Sequence, residues 1–361
     1  MRRVLILESP KTHKMRTDVI IKQIVGIDIG KDSFYACYKV KSDSNKVIIK
    51  GTKSFDNTTA GMRSFYDWCL KRNKTPNSPI IFVMEATGVY YEELAYFLHH
   101  NKKLVSVQLA QKIKYFAKSC NLKTKTDKVD SVMIAQFGIE KNLIGTDLWA
   151  PPSKDFKIIR DLSREHTNLV KAQTGAKSQL HALNTAHNTY KEVLKLKGKE
   201  IKFYQNQISL IEKEIVRLVE SNPDLKDRIA KIETIKGIRF LTVIKILAET
   251  NGFLLFNNIR QLVSYAGLDV VEKESGKYRG KTKISKKGNA RIRSALYMPA
   301  MSASLHNINL KEFYNRVNAG RTIKRQGLIA VMRKLLILIY ILWKKNERYD
   351  ENYLKVPMVT G

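Results

Sequence analysis

Residues 23–34 read QIVGIDIGKDSF, an apolar run interrupted by a single carboxylate, Asp28, and closed by Gly30. An unpaired charge inside such a strand is costly unless something neutralises it, and a hard divalent cation is the usual means. Three further acids stand where they could complete a ligand set. Glu85 ends the apolar stretch PIIFVME and is followed by ATG. Small residues there leave room at a strand end, where open α/β sheets gather ligands. Asp127 and Asp130 lie in KTDKVDS, three apart and therefore one turn apart on one helix face. Each acid also has an ordinary reading: Asp127 as a helix N-cap, Asp130 as a surface charge, Glu85 as the cap of the next helix. Together they predict one or two Mg²⁺ ions bracing the attacking and leaving oxygens of a phosphoryl transfer. Lys123, Lys125 and Lys128 around the last two acids suit a phosphate backbone.

A second kind of chemistry is written between Glu272 and Arg293. Nine basic residues (Lys273, Lys277, Arg279, Lys281, Lys283, Lys286, Lys287, Arg291 and Arg293) stand there against two acids. Glycines punctuate this basic loop, and Ser275-Gly276 is embedded in it. A serine hydroxyl becomes a nucleophile only where a base, a metal or a cationic cradle eases its ionisation. The alternative is a polar loop serine in a nucleic-acid-binding patch.

The elements that must position these groups are legible from periodicity. IVGIDIG, FYACYKV and VIIKGTKSF predict three strands joined by short turns. Residues 59–71 predict a helix, PIIFVME a buried strand, VYYEELAYFLHH a helix, VSVQLA a strand, and Asp130 to Ile139 another helix. Strands alternating with helices predict an α/β domain with a mixed sheet over residues 21–150, behind an N-terminal extension, 1–20, in which Met15 is the more natural beginning. Pro151 and Pro152 then open a helical region, 151–228. Its heptad seam of Ile201, Tyr204, Ile208, Ile211, Ile215 and Leu218 is ended by Pro223, and a weaker seam runs from Ile159 to Leu183. The KLKGKE segment around Gly198 is the expected turn of an antiparallel hairpin, which would serve either as an intermolecular coiled coil or as a plain two-helix bundle. A third region, 229–350, starts with Gly237 before helices at Phe240 to Glu249 and Ile259 to Tyr265. That pattern is similar to a helix-hairpin-helix, whose turn offers backbone N–H groups to a phosphate. Residues 351–361 form a tail.

The 361 residues suffice for two or three cores, and 65 Lys+Arg against 33 Asp+Glu give a net charge of +32. That excess points to a polyanion, with nucleic acid foremost. A membrane is not expected: the longest apolar run, Leu335 to Trp343, is half a bilayer span and predicts a buried helix. Cys37, Cys69 and Cys120 have neither disulfide-framework nor zinc spacing, and no leader pattern precedes the first strand, so a reduced cytoplasmic compartment is expected.

GIDIGKDSF, MEATGVYYEEL, KTDKVDS and LVSYAGLDVVEKESGKYRGKTKISKKGNARIRSAL, in that order, resemble the signature blocks of DEDD-type insertion-sequence transposases. These are bridge-RNA-guided recombinases of the insertion-sequence 110 type, related to Piv-type DNA invertases. The resemblance implies a RuvC-like (RNase H fold) N-terminal domain, a helical coiled-coil middle and a mostly α C-terminal transposase domain. It implies Asp28, Glu85, Asp127 and Asp130 as the Mg²⁺-holding acids and Ser275 as the nucleophile of a covalent phosphoserine link. It also implies a composite site built by two subunits of a dimer or tetramer, duplex donor and target DNA, a structured bridge RNA, and action at the prokaryotic nucleoid. The family pattern often has two serines before the glycine; here Glu274 replaces the first. Two other classes compete. A junction endonuclease would use the acids with water and not need Ser275, and a non-enzymatic nucleic-acid-binding protein would need only the basic patches.

Overall fold

The computed structural model describes residues 19–86, 88–121, 124–272, 274–280 and 282–352. Met15 and nearly all of the expected N-terminal extension, most of the tail, and Lys123, Lys273 and Lys281 lie outside the described residues. The chain forms two compact units, Met1–Pro151 and Pro152–Gly361.

In the first unit, β1 (Ile20–Ile29), β2 (Ser33–Ser42) and β3 (Val47–Asp56) form an antiparallel meander. After α1 (Thr59–Arg72), β4 (Ile80–Glu85) returns parallel to β1. After α2 (Glu92–His100), β5 (Leu104–Gln108) extends the parallel side, giving the sheet order β3-β2-β1-β4-β5. Two helices follow, α3 (Ala110–Ser119) and α4 (Asp127–Glu140). This is the expected RuvC-like α/β arrangement. The central strand is apolar because both faces are covered. Val25, Ile27 and Ile29 meet a cluster with Phe34, Phe65, Trp68 and Phe82, while Ile24 meets Ile134, Phe137 and Ile139 of α4.

Two glycines decide how closely α4 lies on the sheet. A Cβ at Gly26 would collide with the Ala135 backbone nitrogen, and one at Gly138 would lie 2.6 Å from Ile24 Cγ2 and 2.9 Å from Val83 Cγ2. With helix and strand backbones touching, Ser131 and Ala135 sit over Gly26 and Gly138 over Ile24, so α4 runs against β1. Its first turn therefore reaches the end of β1 that carries Asp28.

In the second unit, α5 (Lys154–Thr185) and α6 (Lys191–Glu220) form an antiparallel hairpin. The chain reverses at residues 186–190, not at Gly198. Asn188 takes the left-handed conformation (φ 54°), and the Thr189 hydroxyl donates to the Leu183 carbonyl at 2.6 Å. Gly198 stays inside α6, since a lone glycine costs a helix only about 1 kcal/mol. The seam buries Ile208, Ile215 and Val219, and polar pairs interrupt it: His166 with Glu212 at 2.9 Å and Gln173 with Gln205 at 2.7 Å.

Beyond lie α7 (Pro223–Glu233), α8 (Phe240–Thr250), α9 (Ile259–Ala266), then β6 (Val270–Val271), β7 (Glu274–Ser275), β8 (Tyr278–Arg279) and β9 (Lys283–Ile284). Three helices complete the unit: α10 (Ala290–His306), α11 (Ile308–Asn318) and α12 (Arg325–Lys345). The expected boundary at 228/229 is not a break in packing. Ile159, Ile215 and Val219 of the hairpin share one core with Ile229, Val243 and Leu335. The Gly237 turn joins α7 to α8, the expected helix–turn–helix order. At φ +100° its missing side chain lets α10 approach, for a Cβ there would lie 2.7 Å from the Ala303 nitrogen. Ile235 and Ile238 beside it are buried and spend their N–H groups on Ile232 and Ile235 carbonyls, so the apolar side of this turn packs into the core. The apolar run of α12 is the expected buried helix, with Leu335, Leu336 and Ile339 at 0% exposure.

Two glycine substitutions should part in sign. Gly26→Ala forces α4 off the sheet and should cost about 1–3 kcal/mol, the usual range for overpacking. Gly198→Ala meets nothing within 4 Å and should add about 1 kcal/mol. Urea midpoints of the two variants against wild type check both.

Candidate active site

Parallel pairing of β1 with β4, Ile27 opposite Met84, carries Asp28 and Glu85 to the same carboxyl edge of the sheet. The first turn of α4 brings Asp127 and Asp130 to that edge. All four acids line one pocket of about 720 Å³. Gly30, Ser33, Phe34 and Tyr35 of the β1–β2 region form part of its wall, with Lys125 beside the acids. The ordinary readings give way for three of them. The cap of α4 is Thr126, whose hydroxyl accepts from the Val129 N–H at 3.3 Å, so Asp127 is not the cap. Tyr91 occupies the cap position of α2, six residues beyond Glu85. Asp130 is half-buried rather than a plain surface charge.

The pocket is electrostatically strained. Burial, then the charges of Asp130, Asp127 and Glu85, push the Asp28 carboxyl up to about 6, with Lys125 opposing. The Asp130 carboxyl is raised as well, chiefly by burial, with Lys125 opposing and Asp127 adding to the rise. Four carboxylates with no histidine or cysteine among them make an oxygen-only donor set, which suits a hard divalent cation. Among the described residues no three acid, histidine or cysteine side chains are grouped tightly enough to hold an ion as they stand. The acids thus share a pocket and repel one another, and a bound cation would have to draw them inward.

Ser275 lies in the second unit. It is exposed on the two-residue strand β7, opposite Tyr278, with Gly276 in the left-handed region (φ +56°) at the turn. The foot of this arm is firmly held. β6 pairs with β9, the Ser285 hydroxyl bonds Asp269, and the Asn289 N–H donates to the Tyr265 carbonyl at 2.6 Å. Asn289 caps α10 and donates through its amide to Glu249 Oε2 at 2.7 Å. Buried Glu249 also receives two bonds from Arg164, at 2.8 and 3.0 Å. Burial alone would raise the Glu249 carboxyl, but these bonds outweigh it and hold the group below its ordinary range. Of the expected basic contacts, Lys125, Lys128, Lys277, Arg279, Lys283, Lys286, Lys287 and Arg291 are exposed. Arg293 is not available in the same way: its guanidinium donates to the Ala266 carbonyl at 2.8 Å and locks the end of α9.

Sequence reading missed α3 and the buried Glu249–Arg164–Asn289 cluster. Gln111, Lys114 and Lys118 of α3 line the acid pocket. The helix escaped notice because AQKIKYFAKS buries only Ile113; its one signal is the recurrence of lysines four apart.

Comparison with known proteins places these features in a family. Residues 25–187 match the DEDD-type IS110 transposase family, and residues 229–315 match the family described as Transposase IS116/IS110/IS902. The pilin gene-inverting protein of Moraxella bovis is 30% identical over 338 residues, covering 91% of this chain and 98% of that protein. The transposase for insertion sequence element IS1111A of Coxiella burnetii is 26% identical over 142 residues, 38% of each chain. A yeast mitochondrial Holliday junction resolvase matches 32% of this chain and 78% of its own at 16% identity, with a TM-score of only 0.24, so the fold is read from strand order. Given identity held along almost the whole of the Moraxella protein, the chain belongs to the IS110-type transposases, enzymes that cut and rejoin DNA.

Proposed function

We propose that this transposase cuts and rejoins DNA through a phosphoserine link at Ser275, with Asp28, Glu85, Asp127 and Asp130 holding Mg²⁺, guided by a structured RNA of its element. The observation that carries the reading is the single pocket lined by all four acids, with Asp28 pushed up to about 6 by burial and by the others' charge. Such a cluster is costly to a fold on its own and acquires a purpose where cations are held. Bound Mg²⁺ would neutralise the carboxylates and draw charge from the phosphate oxygens.

The chain's own groups supply the rest. Ser275 Oγ attacks phosphorus, an Oγ–P bond forms, and the P–O bond to one sugar breaks. The serine proton is passed to solvent, and the departing sugar oxygen leaves as a hydroxyl. One phosphate ester replaces another, so the link stores the bond for rejoining by a different sugar hydroxyl. Exposure of Ser275 at a narrow tip, the turn at Gly276 and the flanking Lys277 and Arg279 support its access to a polyanion. The net charge of +32 supports binding of both the RNA and duplex DNA. In this reading the serine of one subunit completes the acid pocket of another, within a dimer or tetramer assembled through the α5–α6 hairpin.

A denaturing gel of protein with labelled DNA and Mg²⁺ should show a slowly migrating protein–DNA band for wild type and none for Ser275→Ala. If Ser275→Ala cuts and joins at near wild-type rate, water does the chemistry and the enzyme works as a junction endonuclease. The acid pocket makes a separate pH forecast. Below pH about 6 Asp28 holds a proton that a cation must displace, so cleavage should fall as pH drops through 6, and added Mg²⁺ should move the midpoint lower. Asp28→Asn should abolish cleavage. Without divalent ions at pH 7 it should melt higher than wild type, because it removes a charge that burial and three neighbouring acids disfavour.

A further inference from the structure

One face of α3 is turned toward the acid pocket. Ala110, Gln111, Lys114, Ala117 and Lys118 all line it, at the spacings that keep residues on one side of a helix. Ile113, 4% exposed, anchors the helix to the first unit's core. Lys112 is turned elsewhere: it lines a separate cavity of about 560 Å³ with Tyr115 and Phe116, and donates to Gln108 Oε1 at 3.3 Å. The helix therefore places two of its lysines on the lining of the acid pocket and engages a third on another side.

A phosphodiester carries negative charge, and a wall of four carboxylates repels it. Something must hold the phosphate against that wall. Lys114 and Lys118 are cations one turn apart across the same pocket, with two small alanines beside them that let a sugar–phosphate backbone come close. Both lysines are exposed, so their ammonium groups reach a strand without a rearrangement of the core.

We infer that Lys114 and Lys118, with Gln111 on the same helix face, bind the non-bridging oxygens of the nucleic-acid phosphodiester presented to the acid pocket. This rests on the proposed acid centre and names the opposing wall that orients its substrate. The competing role is simple charge balance, in which the lysines only relieve repulsion among the acids. The two roles differ in sign. Removing a charge-balancing lysine makes the pocket more negative and tightens cation binding, with the KM for DNA unchanged. Removing a phosphate-binding lysine raises that KM.

The test uses the full chain with RNA transcribed from the gene's flank and a plasmid carrying the gene and its flanking DNA. Lys114→Gln, Lys118→Gln and Lys112→Gln each remove one charge from α3, and melting curves check that each folds. We expect KM for DNA to rise on the order of tenfold for the first two, the loss of one charged hydrogen bond. The slope of log affinity against log salt should become shallower by about 0.9 for each. Lys112→Gln should stay within about twofold of wild type on both, and Lys114→Arg and Lys118→Arg should recover most of the loss. If Lys114→Gln and Lys118→Gln match Lys112→Gln in KM and slope, or bind Mg²⁺ more tightly at unchanged KM, the inference is overturned. Asp28→Asn, run alongside, separates the two levels. Dead for cleavage but normal in salt slope, it upholds the acid centre whatever the lysines do. Active like wild type, it removes the acid centre and the lysines' role with it.

Discussion

Four carboxylates at one edge of a buried strand repel one another, and the first unit is organised around tolerating that repulsion. Asp28 and Glu85 reach the edge through parallel pairing of β1 and β4, and the first turn of α4 adds two more acids. The helix can do so only because Gly26 and Gly138 leave no side chain between it and the sheet. Backbone contact on one side and the aromatic cluster of Phe34, Phe55, Phe65 and Trp68 on the other make a rigid platform. A rigid platform matters because like charges separate wherever the structure yields. Burial first, and then the three neighbouring charges, push the Asp28 carboxyl up to about 6.

The second unit handles polarity in the opposite way. Glu249 is almost fully buried, yet Arg164 and Asn289 satisfy its oxygens, so charge is matched rather than accumulated. That cluster joins the α5–α6 hairpin to α8 and to the start of α10, while the close approach of Gly288 to the Tyr265 carbonyl shuts the foot of the β6–β9 arm. The tip is left to solvent.

Much of this was written locally in the sequence. The carboxylate inside QIVGIDI and the acid ending PIIFVME each announced a strand as well as a group, because burial on both faces demands a continuous apolar run, and the spacing of the pair in KTDKVDS announced a helix turn. The hairpin seam was legible because one buried face repeats apolar residues every three or four positions. What escaped depended on contacts far apart in the chain. Gly198 looked like a turn, but the left-handed Asn188 made it. At Gly237 what escaped was the close packing of α10 against the turn. The hairpin's membership in the C-terminal core rests on Ile159, Ile215 and Val219 meeting residues up to 184 positions later, such as Trp343 beside Ile159 in one cluster. Helix α3 carries too little apolar surface to show a stripe, although Lys114 and Lys118 line the acid pocket.

If the four acids act as one cation centre, their ionisation is linked to its loading. Calorimetric titration of Mg²⁺ into the full-length protein at pH 6, in two buffers of different ionisation enthalpy, tests it directly. A carboxyl poised at about 6 is half protonated there, so saturable binding should release about half a proton from Asp28, and Asp28→Asn should lose both the release and most of the affinity. No saturable binding by wild type, or the same affinity and proton release in Asp28→Asn, would contradict the account.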